Sequence, residues 1–135
     1  MDLSAPISSI MTTDVESVSP SQKLLDIKHI YERRSFHHHI PVVEGGQLVG
    51  MVSLIDFMRN IQNATLDDNE SVYHNLSVKD IMTEHPITVT PETSIEDVAR
   101  VLSKGEFHAL IVRNNGNIAG IVTTADLLNY FLENS

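Results

Sequence analysis

Ile10-Met11-Thr12, followed downstream by Ser53-Leu54-Ile55-Asp56, is answered later in the chain by Ile81-Met82-Thr83, followed by Thr123-Thr124-Ala125-Asp126. The offset between the copies is 71 residues at the Met (82 − 11), 71 at the Pro (91 − 20), 69 at a His (108 − 39) and 70 at the Asp (126 − 56). Two small indels account for the drift. A unit that cannot bury its apolar face alone usually buries it against its copy, so the repetition decides the fold before any single element does.

Working outward, each copy carries the same order of signals. Val15 to Val18 and Ile87 to Thr90 are short alternating segments closed by Ser19-Pro20 and Thr90-Pro91, which read as strands with Pro at the entry to a helix. Leu24, Ile27, Ile30 and Tyr31, and in the copy Ile95, Val98, Val101 and Leu102, form a one-faced helical stripe. Two hairpins follow, turning at Glu44-Gly45-Gly46-Gln47 and at Asn114-Asn115-Gly116-Asn117. A second helix closes each copy, with Leu54, Ile55, Phe57, Met58 and Ile61 in the first and Leu127, Leu128, Tyr130 and Phe131 in the second. Each repeat therefore reads β-α-β-β-α, with the first at residues 1–61, a linker at 62–77 and the second at 78–135. The linker reading rests on the polar, acidic run through Asp67, Asp68 and Glu70, and Ser77 is the expected N-cap of a short helix into Ile81-Met82.

The chain of 135 residues suits one compact module. Nine Lys and Arg against eighteen Asp and Glu give a net charge of −9, which argues against a nucleic-acid partner or an anionic membrane surface and for small molecules or proteins. The absence of Cys removes disulfides, thiolate catalysis and Cys-ligated zinc. Met1-Asp2-Leu3-Ser4 opens no signal segment and no run of eighteen apolar residues occurs, so the expected location is the cytoplasm.

In their order and spacing, Ile-Met-Thr, His39-Ile40-Pro41-Val42-Val43 and Gly50-Met51-Val52-Ser53-Leu54-Ile55-Asp56 resemble a cystathionine-β-synthase-type (CBS) domain, and residues 81 to 128 resemble a second. The resemblance covers nearly the whole chain. It implies an α/β (α+β) fold of two CBS repeats packed through their sheets as a pseudo-twofold pair. It also implies a regulatory module that binds an adenosine-containing ligand (AMP, ADP, ATP, NAD or S-adenosylmethionine) in clefts between the repeats, without a cofactor. A homodimer and a regulated enzyme or transporter as partner follow from the same resemblance. By it, Thr12, Thr13, Val15, Thr83, Pro86 and Ile87, with His39, Ile40, Pro41, His108, Ala109 and Leu110, line the ligand. Leu110 stands where the first repeat has Pro41, so the two clefts are expected to differ.

The chemistry of Ser53-x-x-Asp56 and Thr123-x-x-Asp126 follows from the residues. A hydroxyl at a helix N-cap sits beside unpaired backbone N–H groups and the positive end of the helix dipole, so a phosphate can be held there without a lysine. The Asp one turn on can accept hydrogen bonds from a ribose diol. The plainer alternative is that hydroxyl and carboxylate simply cap their own helix.

His37-His38-His39 does not make a metal site, because residues 37 and 39 share one strand face, 38 points away and no further ligands complete a set. With Lys28, His29, Arg33 and Arg34 these histidines form the one basic island of an acidic chain. No nucleophile elbow, phosphate-binding Gly-rich loop or metal triad is present, so catalysis is not expected. The competing function is an assembly module whose ligand clefts are empty or degenerate.

Overall fold

Gly45-Gly46 and Asn115-Gly116 set the two hairpins of the structure, a computed structural model that describes residues 1–33 and 38–135. All four residues lie in the left-handed region, with φ of +58°, +78°, +52° and +88°, the conformation that a two-residue hairpin loop demands. The chain packs into two units, one of Glu16–His85 and one of Met1–Val15 together with Pro86–Ser135.

In the Glu16–His85 unit, Val18 bridges Val42 in parallel before helix α1 (Leu24–Tyr31), whose Leu24, Ile27 and Ile30 are buried at helical spacing. Strands β1 (His39–Glu44) and β2 (Gln47–Ser53) form the antiparallel hairpin, with a register shift between Val42 and Val43. Helix α2 (Leu54–Ile61) follows directly. The chain continues through α3 (Ser71–Asn75) and α4 (Val78–Ile81) into β3 (Thr83–Glu84), which pairs antiparallel with β2 as the third strand. The core gathers Leu24, Ile27, Ile40, Val42, Val52, Phe57, Tyr73 and Val78.

Residues 62–77, expected to be a polar linker, are a built part of this unit. Tyr73 is completely buried, its ring stacked 6.2 Å from that of Phe57 and its hydroxyl donating to the Thr65 carbonyl at 2.8 Å. The acidic run is used as well. Lys28, a buried charge on α1, donates to Asp68 at 2.6 Å and to Glu32 at 2.9 Å, which compensates its removal from water. An average hydropathy reading misses this because one Tyr and one ion pair carry the packing.

In the other unit, a short 3-10 turn at Ile7–Ser9 buries Ile7. Strand β4 (Thr88–Val89) runs parallel to β5 (Ala109–Asn114), which pairs antiparallel with β6 (Asn117–Thr123). Helix α5 (Ile95–Ser103) is capped by Ser94, whose hydroxyl accepts from Asp97 N–H at 3.0 Å, and α6 (Thr124–Glu133) ends the unit. Ile7, Ile95, Val98, Leu102, Leu110, Val112, Val122 and Leu127 form the core. The expected first strand of each repeat is thus shorter than its sequence signal: Thr88–Val89 in one copy and a lone bridge at Val18 in the other.

Repeat boundaries and packing boundaries differ. Thr12 from the first repeat pairs with Ile121 of the second, both backbone hydrogen bonds being 2.9 Å, while Thr83 from the second repeat pairs with Met51 of the first. Each Met-Thr segment therefore pairs with the hairpin of the opposite repeat, as the short strand β3 in one unit and as a single bridge at Thr12 in the other, and the packing boundaries at Glu16 and Pro86 fall fifteen and eight residues after the starts of the repeats. Gly50 and Gly120 make room for this. A Cβ on Gly50 would lie 2.6 Å from Met82 Sδ and 2.9 Å from the Thr83 carbonyl oxygen, and one on Gly120 would lie 2.6 Å from the Thr12 carbonyl oxygen and 2.8 Å from Met11 Sδ.

Candidate ligand-binding site

Ser53 ends β2 in extended backbone and begins α2, so its side chain meets the start of the helix. Its hydroxyl oxygen accepts from Asp56 N–H at 3.0 Å, and the Ser53 N–H donates to Asp56 Oδ2 at 3.2 Å. Thr123 repeats the arrangement at the start of α6, accepting from Asp126 N–H at 3.1 Å and donating its own N–H to Asp126 Oδ2 at 2.8 Å. Both are complete capping boxes. Capping is therefore real in both copies. It leaves chemistry in reserve, because each hydroxyl accepts in the cap and keeps its proton to donate, and the cap uses only one oxygen of each carboxylate.

The hairpin register places the neighbours. His39 is the Cα partner of Ser53, and Met51 lies between Pro41 on one side and Thr83 on the other. In the other unit, Ala109 is the partner of Thr123, Leu110 of Val122, and Ile121 lies between Ile111 and Thr12. Thr12 and Thr123, two strand positions apart in register, are thus brought together with Ala109, Leu110 and Asp126 in one unit, to which Thr13 and Val15 also belong. Thr83, His39, Ile40, Pro41, Ser53 and Asp56 gather in the other. Pro86 and Ile87 lead into β4, and Ile87 is 40% exposed, unusual for an isoleucine beside a sheet. By contrast, Ile40, Pro41, Ala109 and Leu110 are buried within their own units.

This register corrects the match between the repeats. Leu54 N–H donates to the His38 carbonyl at 2.7 Å, and Thr124 N–H donates to the His108 carbonyl at 3.0 Å, so His108 corresponds to His38 and not to His39. The offset is then a uniform 70 from the hairpin onward, and a single one-residue indel suffices, lying between the first helix and the hairpin. The counterpart of Pro41 is Ile111, with Leu110 matching Ile40. The His triplet hid this, since three adjacent histidines offer three possible matches.

Electrostatics around the first site are shaped by burial. The Tyr31 hydroxyl is pushed well above its ordinary range, chiefly by desolvation and further by the negative charge of Asp56. It also donates to the His38 carbonyl at 3.3 Å. Hydrogen bonds from Lys28 and then from His29 hold the Asp68 carboxyl below its usual range, and the same Asp68 partner raises the Lys28 ammonium. Ser77 N–H, donating at 2.8 Å, lowers Asp80 in the α4 cap.

Of the basic island, Arg34 and His37 lie outside the described residues. Arg33 pairs with Glu16 at 2.7 Å. Among the described residues, His29, Glu32 and Asp68 have ligand-type atoms within 4.8 Å of one another, but the Lys28 ammonium already occupies the cation's place between the two carboxylates. Among them, too, no helix is long and apolar enough to cross a membrane.

Gly50 and Gly120, the residues that admit the Met-Thr strand, were the part of the site that motif reading missed. Their signal was present as a Gly three residues before each cap hydroxyl.

Comparison with known proteins bears on the same segments. The CBS domain family model matches residues 7–63 and 78–133. The MJ0188 protein of Methanocaldococcus jannaschii is 30% identical over 132 residues, which is 97% of this chain and 46% of that protein. The chain spans about half the length of the first curated relatives it matches. The crystal structure of CBSX2 in complex with AMP, a CBS-pair protein of Arabidopsis thaliana, has 28% identity and a TM-score of 0.78, covering 96% of this chain and 97% of that one. The CBS domain pair of protein MJ0100, solved with 5-methylthioadenosine and S-adenosyl-L-methionine, shares the fold at 20% identity, with a TM-score of 0.81 over 97% of this chain and 98% of that one. Two matched repeats on this α+β architecture place the chain in the CBS domain family, as a tandem CBS pair.

Proposed function

We propose that the chain is a regulatory module that binds an adenosine-containing ligand at its two hydroxyl-x-x-carboxylate caps and passes the signal to a protein partner. The observation that carries this reading is the reserve left by each capping box: a hydroxyl proton to donate and a second carboxylate oxygen to accept. A ribose diol presents the complementary donors, and hydrogen bonds to a charged acceptor are the strong ones. Exposed Ile87 offers an apolar surface of the kind a base covers. CBSX2, similar along its whole length, was solved with AMP. The role is one of binding rather than catalysis, because each cap hydroxyl is already engaged by its own helix, accepting from the Asp N–H three residues on.

In this reading, Thr12, Thr13, Thr123 and Asp126 serve one site and Thr83, Ser53 and Asp56 the other. Thermal melting with a panel of nucleotides tests it. Adenosyl compounds at a hundred times Kd should stabilise by about 2.7 kcal/mol, raising Tm by roughly 5 to 10 °C, while guanine and pyrimidine nucleotides should not. No shift with any adenosyl compound at millimolar concentration would leave the assembly-module reading ahead.

That second reading has its own observation. Met58 on α2 and Leu128 on α6, 70 residues apart at the same repeat position, are 59% and 56% exposed, and Ile55 and Leu132 beside them are exposed as well. Apolar stripes of this kind mark association surfaces, and a homodimer is the form of association proposed.

A further inference from the structure

The chain has five methionines and no cysteine, so its only oxidisable sulfurs are thioethers. Two of them, Met11 and Met82, hold the same place in the two repeats. Each closes a helical turn, its N–H donating at 3.0 Å to the carbonyl four residues back, that of Ile7 or of Val78. Each then lays its thioether on a glycine in the hairpin of the opposite repeat. A Cβ on Gly50 would lie 2.6 Å from Met82 Sδ, and one on Gly120 would lie 2.8 Å from Met11 Sδ. Both methionines are half-buried, held by the fold yet open to a small oxidant.

The surroundings suit a thioether and oppose a sulfoxide. The point where Gly50 would carry its Cβ is 2.9 Å from the Thr83 carbonyl oxygen, and the matching point on Gly120 is 2.6 Å from that of Thr12. Carbonyl oxygens accept, as a sulfoxide oxygen does, so they offer it nothing. In the Met11 unit the N–H groups of Thr12 and Ile121 are already spent on each other's carbonyls at 2.9 Å. An oxygen added to either sulfur therefore stays unpaired or displaces the strand pair, against a glycine with no room for one more carbon. Met1 and Met58, 61% and 59% exposed, are under no such constraint.

We propose that Met11 and Met82 are a matched pair of oxidation sites for hydrogen peroxide, and that their sulfoxides loosen the Met-Thr segments from the hairpins they pair with. A sulfur lone pair attacks one peroxide oxygen, and the S–O bond forms as the O–O bond breaks. The departing hydroxide takes the proton of the new S–OH group and leaves as water, the sulfur being oxidised by two electrons and the peroxide reduced. A dithiol-dependent methionine sulfoxide reductase reverses the step, yielding the thioether, a disulfide and water. The device is doubled with the repeat, needs no cysteine and does not depend on the ligand reading above.

Peroxide treatment of the full chain tests it, followed by peptide mass mapping of each methionine, thermal melting and amide hydrogen exchange, beside Met11→Leu, Met82→Leu and the double variant. Leu replaces Met with little change in volume, so the variants should fold. In the parent, an oxygen gained at Met11 and Met82 should lower Tm by about 5 °C or more, and quicken exchange at Thr12 and Ile121 and along the pairing of Gly50 and Met51 with Glu84 and Thr83 by about tenfold or more. Sulfoxide reductase with a dithiol should restore both. The double Leu variant should show neither loss, although it keeps Met1, Met51 and Met58 for the same peroxide. Each single variant should protect its own pairing and lose the other, which decides the matter where the double variant is too unstable to read. Three results overturn the proposal: Met11 and Met82 left unmodified by peroxide that fully converts Met1 and Met58, sulfoxides at both with unchanged melting and exchange, or equal losses in the Leu variants.

Discussion

Gly50 and Met82 are packed so closely that a single added carbon on the glycine would stand 2.6 Å from the methionine sulfur. Gly120 meets Met11 and Thr12 with the same tightness in the other unit. The consequence is a test of the exchanged strands. Gly50→Ala and Gly120→Ala should each cost about 1 to 3 kcal/mol in urea unfolding, the range of core overpacking, with the backbone carbonyl of Thr83 or Thr12 forced aside. A variant as stable as the parent would mean that the Met-Thr segment yields freely.

Asp56→Asn and Asp126→Asn separate ribose binding from capping. Asn at this third helical position keeps a side-chain oxygen to accept from the Ser53 or Thr123 N–H, so the fold should change little, while replacement of a charged acceptor should weaken adenosyl binding by about 1 to 3 kcal/mol, roughly 5- to 150-fold in Kd. Because His39 faces Ser53 where Ala109 faces Thr123, the two variants should not lose equally. Calorimetry with both variants binding like the parent would reduce the carboxylates to caps alone.

Tyr73 tests the connection between the repeats. If residues 62–77 were a tether, Tyr73→Ala would be silent. Full burial against Phe57 instead predicts a loss of about 3 to 5 kcal/mol by denaturant titration, and Tyr73→Phe should cost about 1 kcal/mol through the hydrogen bond to Thr65.

Asp68→Asn should lower Tm in a pH-dependent way. The Asp68 carboxyl is depressed in the fold, so its contribution is present above the unfolded value near 4 and lost as pH falls through the lower folded value. Lys28 is raised, so its contribution is present below about 10.4 and lost as pH rises past the raised value. The gap between parent and variant should be full at neutral pH and close on acidification below about pH 4. A gap independent of pH would detach Asp68 from the ion pair.

Sedimentation checks the exposed helix faces. The parent should run as a dimer of the 15.0 kDa chain at micromolar concentration, and Met58→Lys with Leu128→Lys should shift it to the monomer. A monomeric parent removes the proposal.

Much of the fold was legible because it was written twice: helix stripes, hairpin turns and cap motifs each appear in duplicate at fixed spacing. What escaped the sequence was non-local. Tyr73 looks like any aromatic in a polar run until its partner Phe57, sixteen residues away, is in place. Pairing of Thr12 with Ile121 has no local trace beyond a glycine. The cap residues of the site were readable from spacing, whereas the match of His108 required the hydrogen bonds to Leu54 and Thr124, since backbone register, and not residue identity, picks one histidine from three.

The strand exchange also orders events in time. Residues Glu16–His85 are contiguous, so that unit has all its parts once His85 has left the ribosome. Its counterpart is built from the first fifteen residues and the last fifty, with Ile7 held by the Thr93 carbonyl and Thr12 by Ile121. Ile7 must wait for Thr93 and Thr12 for Ile121 before their partners exist, and the long loops these pairings close make that unit the slower of the two to form.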